Sequence, residues 1–259
     1  MATMNVSVVS PGVKKVSWNF NEKNTVTIEF CNELSKIMTE LEQDKSTLAV
    51  LFEGNGNFFS NGFEPSSFHG STTDEVASVI DSAFGLCLRI FKADFIAISA
   101  MNGHAMGFGA IFALFSDYRL IQNQRARFGF PEILIGLALP MATSIRLQHI
   151  IGPIKTRDLG QTGKALKPDQ AVEMGLIDHS CEAEQLSEQA LKILNPFIKG
   201  SWQAVRSNKR SINQPWFTML DEAHKQDVIV APKLILSADG QEGMSSILEG
   251  RRAVFSNNT

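Results

Sequence analysis

The stretch from Asn102 to Pro140, NGHAMGFGAIFALFSDYRLIQNQRARFGFPEILIGLALP, decides how the rest of the chain is read. It opens on a Gly-rich turn, Gly107-Phe108-Gly109, that feeds an apolar helix, and it closes on one carboxylate, Glu132, set among hydrophobic residues. Glycines let a backbone approach a ligand and aim its N–H groups at developing negative charge. A carboxylate in a dry setting becomes a base of nearly neutral pKa. Just upstream, residues 95–100 read as a buried strand. The same order of strand, glycine turn and following segment occurs earlier, where residues 48–52 lead through Gly54 and Gly56 into Phe58-Phe59-Ser60-Asn61-Gly62-Phe63. This alternation predicts an α/β architecture.

Outward from these repeats, residues 6–9 and 15–20 are β-prone runs separated by Pro11-Gly12, which reads as a strand pair. Phe30, Leu34, Ile37, Met38 and Leu41 recur at helical spacing behind Thr27, a suitable N-cap, so a helix is expected to end near Gln43. Residues 64–71 read as a polar, mobile loop. Val76, Ile80, Phe84 and Leu88 mark the next helix, residues 118–122 a weaker strand, and residues 134–139 are apolar enough for the interior. Beyond Pro140 the pattern is helical over 142–151, 156–161, 168–174 (closed by Gly175), 184–198, 204–212, 217–236 and 242–255. Residues 1–200 are taken as the core domain and 201–259 as a helical C-terminal region. No low-complexity linker separates them, so the second part is expected to pack on the first or on a neighbouring subunit.

The 259 residues, 44% hydrophobic, can bury a large core. A formal charge of −3 without long runs of one sign makes nucleic acid a poor partner. Cys31, Cys87 and Cys181 are far apart and have no Cys-x-x-Cys spacing, which argues against a disulfide scaffold or zinc site. No signal-peptide pattern, membrane-spanning run or peroxisomal ending is legible, the last residues being Ser256-Asn257-Asn258-Thr259. A soluble cytoplasmic protein is the expectation.

Phosphate-loop, zincin and nucleophile-elbow motifs are missing from the sequence. His104 reads as a structural hydrogen-bonding residue. Gly62-Phe63 and Gly107-Phe108, read alone, are tight turns. If they lie side by side at strand ends, the amides of Phe63 and Phe108 can point at one spot and form an oxyanion hole. Glu132 reads either as an acid at the start of a buried segment, paired with Arg125 or Arg127, or as a functional carboxylate.

Three motifs together resemble the crotonase (enoyl-CoA hydratase/isomerase) superfamily. Residues 59–64, Phe-Ser-Asn-Gly-Phe-Glu, are similar to its Phe-Ser-Ala-Gly-x-Asp. Residues 102–109, Asn-Gly-His-Ala-Met-Gly-Phe-Gly, are similar to its Asn-Gly-x-Ala-x-Gly-Gly-Gly. Residues 128–136, Phe-Gly-Phe-Pro-Glu-Ile-Leu-Ile-Gly, are similar to its Phe-x-x-Pro-Glu-x-x-x-Gly. Residues 163–178 also resemble a family segment. The resemblance implies a superhelix of ββα units with a helical C-terminal trimerisation region, assembled as a homotrimer or homohexamer. It implies an acyl-CoA substrate, coenzyme A being part of that substrate, an enolate held by the N–H groups of Phe63 and Phe108, and no metal or redox cofactor. Asn61, Gly62, Gly107, Gly109, Ile111 and Leu137 become the expected substrate-binding residues, with Glu132 catalytic.

Two departures narrow the expectation. Family hydratases carry a second glutamate two residues after the glycine turn, where this chain has Ile111. The single-glutamate pattern, together with Asp117-Tyr118-Arg119, resembles the Δ3,Δ2-enoyl-CoA isomerases, in which one base moves a proton from C2 to C4. The other departure is Phe108 in place of the middle glycine, where a positive φ would strain a phenylalanine. Another acyl-thioester lyase, hydratase or decarboxylase, or a weakly catalytic acyl-CoA-binding relative, are the alternative readings.

Overall fold

Short apolar strands followed by turns dictate the way the chain winds. The computed structural model describes residues 4–256. β1 (Met4–Ser10) and β2 (Val13–Trp18) pair antiparallel across the Pro11-Gly12 turn. α1 (Ile28–Gln43) starts where the Thr27 hydroxyl accepts the Phe30 amide. Three units of two strands and a helix follow. They are β3 (Ala49–Glu53), β4 (Phe58–Ser60) and α2 (Thr73–Lys92); β5 (Ile96–Met101), β6 (His104–Met106) and α3 (Phe108–Leu114); and β7 (Tyr118–Gln122), β8 (Phe128–Gly129) and α4 (Met141–Thr162). β9 (Ala165–Leu166), α5 (Pro168–Met174), β10 (His179–Cys181), α6 (Leu186–Ile198), α7 (Trp202–Ile235) and α8 (Ala238–Glu249) complete the order.

Each unit gives its first strand to a six-stranded sheet, β1-β2-β3-β5-β7-β10, and its second to a four-stranded sheet, β4-β6-β8-β9. β3, β5 and β7 are parallel neighbours, and so are β4, β6 and β8. An aromatic cluster ties the two sheets to α3. Trp18 and Phe52 come from the large sheet, Phe59 from the small one and Phe112 from α3, with ring centroids 4.9 Å apart for Trp18–Phe59 and 5.3 Å for Phe52–Phe112. The buried indole N–H of Trp18 donates to the Phe59 carbonyl at 2.7 Å, so the cluster costs no unpaired polar group. α6 covers the other face of the large sheet, placing Leu186, Ala190 and Leu194 on Leu51, Ile98 and Leu120.

Four local expectations need correction. Residues 64–71 contain a 3-10 turn (Pro65–Phe68) in place of an open polar loop, because Phe68 buries completely and the Glu64 side chain caps the turn. The expected break between helices 204–212 and 217–236 is absent. α7 runs through Pro215, since Asn213 Nδ2 donates to the Phe91 carbonyl and Lys209 Nζ to that of Phe95, fastening the helix across the end of α2. The last helix stops at Glu249, where Gly250 turns left-handed at φ 66°, six residues short of expectation. The apolar run 134–139 is not interior, Leu134 being 55% exposed. By contrast, the break expected after residue 151 is present as a kink in α4 at Gly152. The C-terminal Asn257-Asn258-Thr259 lies outside the described residues, among which no helix is long and apolar enough to cross a membrane.

Candidate active site

Because β4, β6 and β8 are parallel and adjacent, their C-terminal ends arrive at one edge of the small sheet. β4 delivers Gly62-Phe63, β6 delivers Gly107-Phe108, and β8 delivers Pro131-Glu132. Gly62 (φ 93°) and Gly107 (φ 53°) occupy backbone conformations that L side chains rarely adopt. A methyl group placed on Gly62 would lie 3.4 Å from the Phe108 nitrogen. One placed on Gly107 would lie 3.6 Å from Glu132 Oε1 and 3.8 Å from the Gly62 Cα. Both turns and the carboxylate therefore sit within the reach of one small substrate group.

The amides at this edge are largely committed elsewhere. Val26 bridges the strand end, donating to the Gly62 carbonyl at 2.9 Å and accepting from the Glu64 amide at 3.0 Å. Those two bonds flank Phe63 and leave its own N–H outside the ladder. Phe108 is the first residue of α3, where an amide has no intrahelical acceptor.

The strain expected at Phe108 does not arise. Among the described residues Asn24 is the one non-glycine with positive φ, and Gly107 supplies the turn that leads Phe108 into the helix. The benzyl group is buried between Phe63 and Phe84, at 5.0 Å and 5.7 Å between ring centroids. Ile111, one turn further along α3, is 1% exposed and lines the same cavity.

Glu132 opens a 3-10 turn (Glu132–Ile135) that Gly136 closes in the left-handed region. Its side chain is buried, and Oε2 has no hydrogen-bond partner. The pairing with Arg125 or Arg127 is not formed; the Arg127 guanidinium donates to the Ala126 and Arg125 carbonyls instead. Loss of hydration, with no compensating cation, pushes the carboxyl up to about 7.

A cavity of about 900 Å³ opens over this edge. Asn61, Gly62, Phe63, Gly107, Phe108, Ile111, Glu132 and Leu137 all line it. Gly109 does not: it packs against β4, where a Cβ would meet the Ser60 carbonyl oxygen at 2.3 Å, so its part is structural. His104 also stays outside, its ring 5.0 Å from that of Phe58.

Reading the sequence missed five contributors. Glu64 lines the cavity and is held below the usual carboxylate range by hydroxyls of Thr25 (2.7 Å) and Ser66 (3.0 Å), against the opposing effect of burial. Its place in the Phe-Ser-Asn-Gly-Phe-Glu motif was the available signal. Ile80 and Phe84 of α2 form one apolar wall, and Met244 of α8 and Ile235 of α7 another. Helical spacing marks these as buried faces without saying what they face.

The enoyl-CoA hydratase/isomerase family model matches residues 10–258. The "Probable enoyl-CoA hydratase echA8" of Mycobacterium leprae is 28% identical over 233 residues, spanning 90% of this chain and 89% of its own. The 2,3-dehydroadipyl-CoA hydratase of Escherichia coli K12 is 26% identical over 232 residues, spanning 90% and 88%. Among solved structures, human mitochondrial delta3-delta2-enoyl-CoA isomerase superposes with a TM-score of 0.90 at 23% identity, covering 96% of this chain and 98% of that one, a likeness of fold. Two glycine turns and a glutamate at three adjacent strand ends thus stand in a chain matched over nearly its whole length, and that chain belongs to the enoyl-CoA hydratase/isomerase family and has the crotonase fold.

Proposed function

We propose that the protein is an enoyl-CoA isomerase that moves the double bond of a 3-enoyl-CoA to the 2-position. The carrying observation is the Glu132 carboxyl, buried with Oε2 unpartnered and pushed up to about 7, with the apolar Ile111 in the same cavity. The thioester oxygen accepts the N–H groups of Phe63 and Phe108. Glu132 takes a proton from C2, and the C–H electrons pass into an enolate whose charge those donors stabilise. Reprotonation at C4 by the same carboxyl restores the base and leaves the double bond conjugated with the thioester. The reaction has no net uptake of water, electrons or protons, so one base and two amides suffice and coenzyme A enters only as part of the substrate. A homotrimer or homohexamer is the proposed assembly, supported by exposed apolar side chains such as Ile154 and Ile212 at 71% and 63%; light scattering tests it.

A hydratase is the second reading, and Glu64 is the observation in its favour, since it brings a second carboxylate to the cavity. The environments of the two acids push their pKa values apart: Glu64 is hydrogen-bonded and ionised, whereas Glu132 is dry. A carboxylate already engaged by Thr25 and Ser66 is a weak base and is poorly placed to orient a water. Incubation with 3-enoyl-CoA and, separately, with 2-enoyl-CoA, whose conjugated double bond is the one a hydratase adds water to, followed by mass spectrometry separates the readings. Isomerisation gives a conjugated product of unchanged mass, and hydration gives one heavier by a water.

The pH dependence follows from Glu132. Its working form is the carboxylate, so kcat/KM should rise with pH, level off above a midpoint near 7, and lose about tenfold per unit well below it. A pH–rate profile with a midpoint at the ordinary glutamate value would contradict a buried base.

A further inference from the structure

The C-terminal region reaches the site through α8. The helix begins at Ser237, whose hydroxyl accepts the Gly240 amide at 3.1 Å, and it lies across the turn that carries Glu132. The approach is backbone to backbone at two places. A Cβ on Gly243 would stand 2.0 Å from the Ile135 carbonyl oxygen and 2.6 Å from its carbon. One on Gly136 would stand 2.7 Å from the Asp239 carbonyl oxygen, in a residue that already needs φ 72°. Neither position has room for a side chain unless helix and turn separate. Met244, next to Gly243, is 3% exposed and lines the cavity that Glu132 also lines. Glu132, at the start of the turn that α8 covers, has its Oε2 atom buried without a protein hydrogen-bond partner.

We propose that Gly243 is a positioning residue: by letting α8 rest directly on residues 132–135 it seals the Glu132 carboxyl from solvent and fixes its place in the site. A carboxyl sealed in this way keeps its proton to higher pH, as Glu132 does, and burial is the dominant cause. The elements packed on the turn add no competing charge. Their titratable groups are Asp239, Glu242 and Glu249 on α8 and Arg146, His149, Lys155, Arg157 and Asp158 on α4, and the shared cavity adds Lys23, Glu64, Arg251 and Arg252. None of these forms a hydrogen bond or ion pair with Glu132; Glu242 and Glu249 are held by Arg251, and Arg146 bonds to His149 and the Leu114 carbonyl. In catalysis the idea rests on the Glu132 role proposed above, but the seal is a property of the unliganded protein.

The test is a substrate-free titration of protein labelled with 13C at glutamate carboxyl carbons, the Glu132 resonance being assigned by its loss in Glu132→Gln. The wild type should titrate near 7. Gly243→Ala, with an unchanged circular dichroism spectrum, should titrate about one unit or more lower as water reaches the carboxyl. Its kcat for 3-enoyl-CoA should fall about tenfold, more than KM changes. If Gly243→Ala does not fold, Ser237→Ala, which loosens the helix cap without a clash, should lower the midpoint in the same direction. An unmoved or raised midpoint in the folded variant, or a wild-type midpoint near 4.5, overturns the proposal. A wild type that does not isomerise 3-enoyl-CoA leaves this titration intact, so failure of the seal and failure of the isomerase reading are told apart.

Discussion

Glu132→Gln is expected to lower kcat for 3-enoyl-CoA isomerisation by about 10³-fold while leaving the fold and CoA-ester binding in place. The amide has the shape of the carboxylate but cannot accept the C2 proton, and no other group in the cavity combines burial with a free oxygen. Glu64 cannot substitute, because its oxygens are committed to Thr25 and Ser66. The same substitution carries a stability signature. The Glu132 carboxyl has a native pKa of about 7, above its unfolded value near 4.5. Below 4.5 both states hold the proton; between the two values the unfolded chain ionises first, so native stability falls as pH rises; above 7 the loss is complete. The difference of about two and a half units corresponds to ~3 kcal/mol. Stability of Glu132→Gln relative to wild type should therefore improve by up to ~3 kcal/mol from acid to alkaline pH, as read from urea unfolding at several pH values.

Gly109→Ala should cost both stability and activity although Gly109 touches no substrate. Its Cβ would stand 2.3 Å from the Ser60 carbonyl oxygen and 2.9 Å from the Ser60 Cβ, so β4 and α3 must separate. Such overpacking costs about 1–3 kcal/mol. Ser60 is also the hinge of the first glycine turn, its hydroxyl accepting the Gly62 amide at 3.2 Å. Moving Ser60 away from Gly109 therefore shifts the Phe63 amide relative to that of Phe108, the residue before Gly109. Misplacing one of two oxyanion donors should lower kcat by about 10²- to 10³-fold. Gly85→Ala is the control: it lies in α2 with ordinary φ and nothing within 4 Å of an added Cβ, so alanine there should stabilise the helix by about 0.5–1 kcal/mol and leave the rate unchanged.

The middle of the large sheet was legible because its strands are continuous apolar runs, as at Val50-Leu51-Phe52 and Ile96-Ala97-Ile98, whereas β10, His179-Ser180-Cys181, has no such run and is not readable as a strand. The small sheet was not, and the site stands on it. β4, β6, β8 and β9 are two or three residues long, too short to show any periodicity, and only the glycine turns after β4 and β6 pointed to strand ends there. Glu132 could be singled out by its apolar flanks, but the lack of a cation partner is a fact of three-dimensional packing. Phe108 looked strained because the resemblance put it at a glycine position; the positive φ belongs to Gly107 alone. The sequence around Pro215 predicts a break in α7, where local propensity loses to anchors from Lys209 and Asn213. Likewise, the partial exposure of Ile133 and Leu134 follows from their facing a cavity, which an apolar pattern cannot distinguish from facing a core.

The central claim is that one buried carboxylate moves a proton between C2 and C4 through an enolate, and turnover of a 3-enoyl-CoA in deuterated water tests it most directly. The account predicts a conjugated 2-enoyl-CoA of unhydrated composition, with any deuterium confined to C2 and C4, formed by wild type and not by Glu132→Gln. A hydrated product, or wild-type protein that neither converts the substrate nor exchanges its C2 protons, would contradict it.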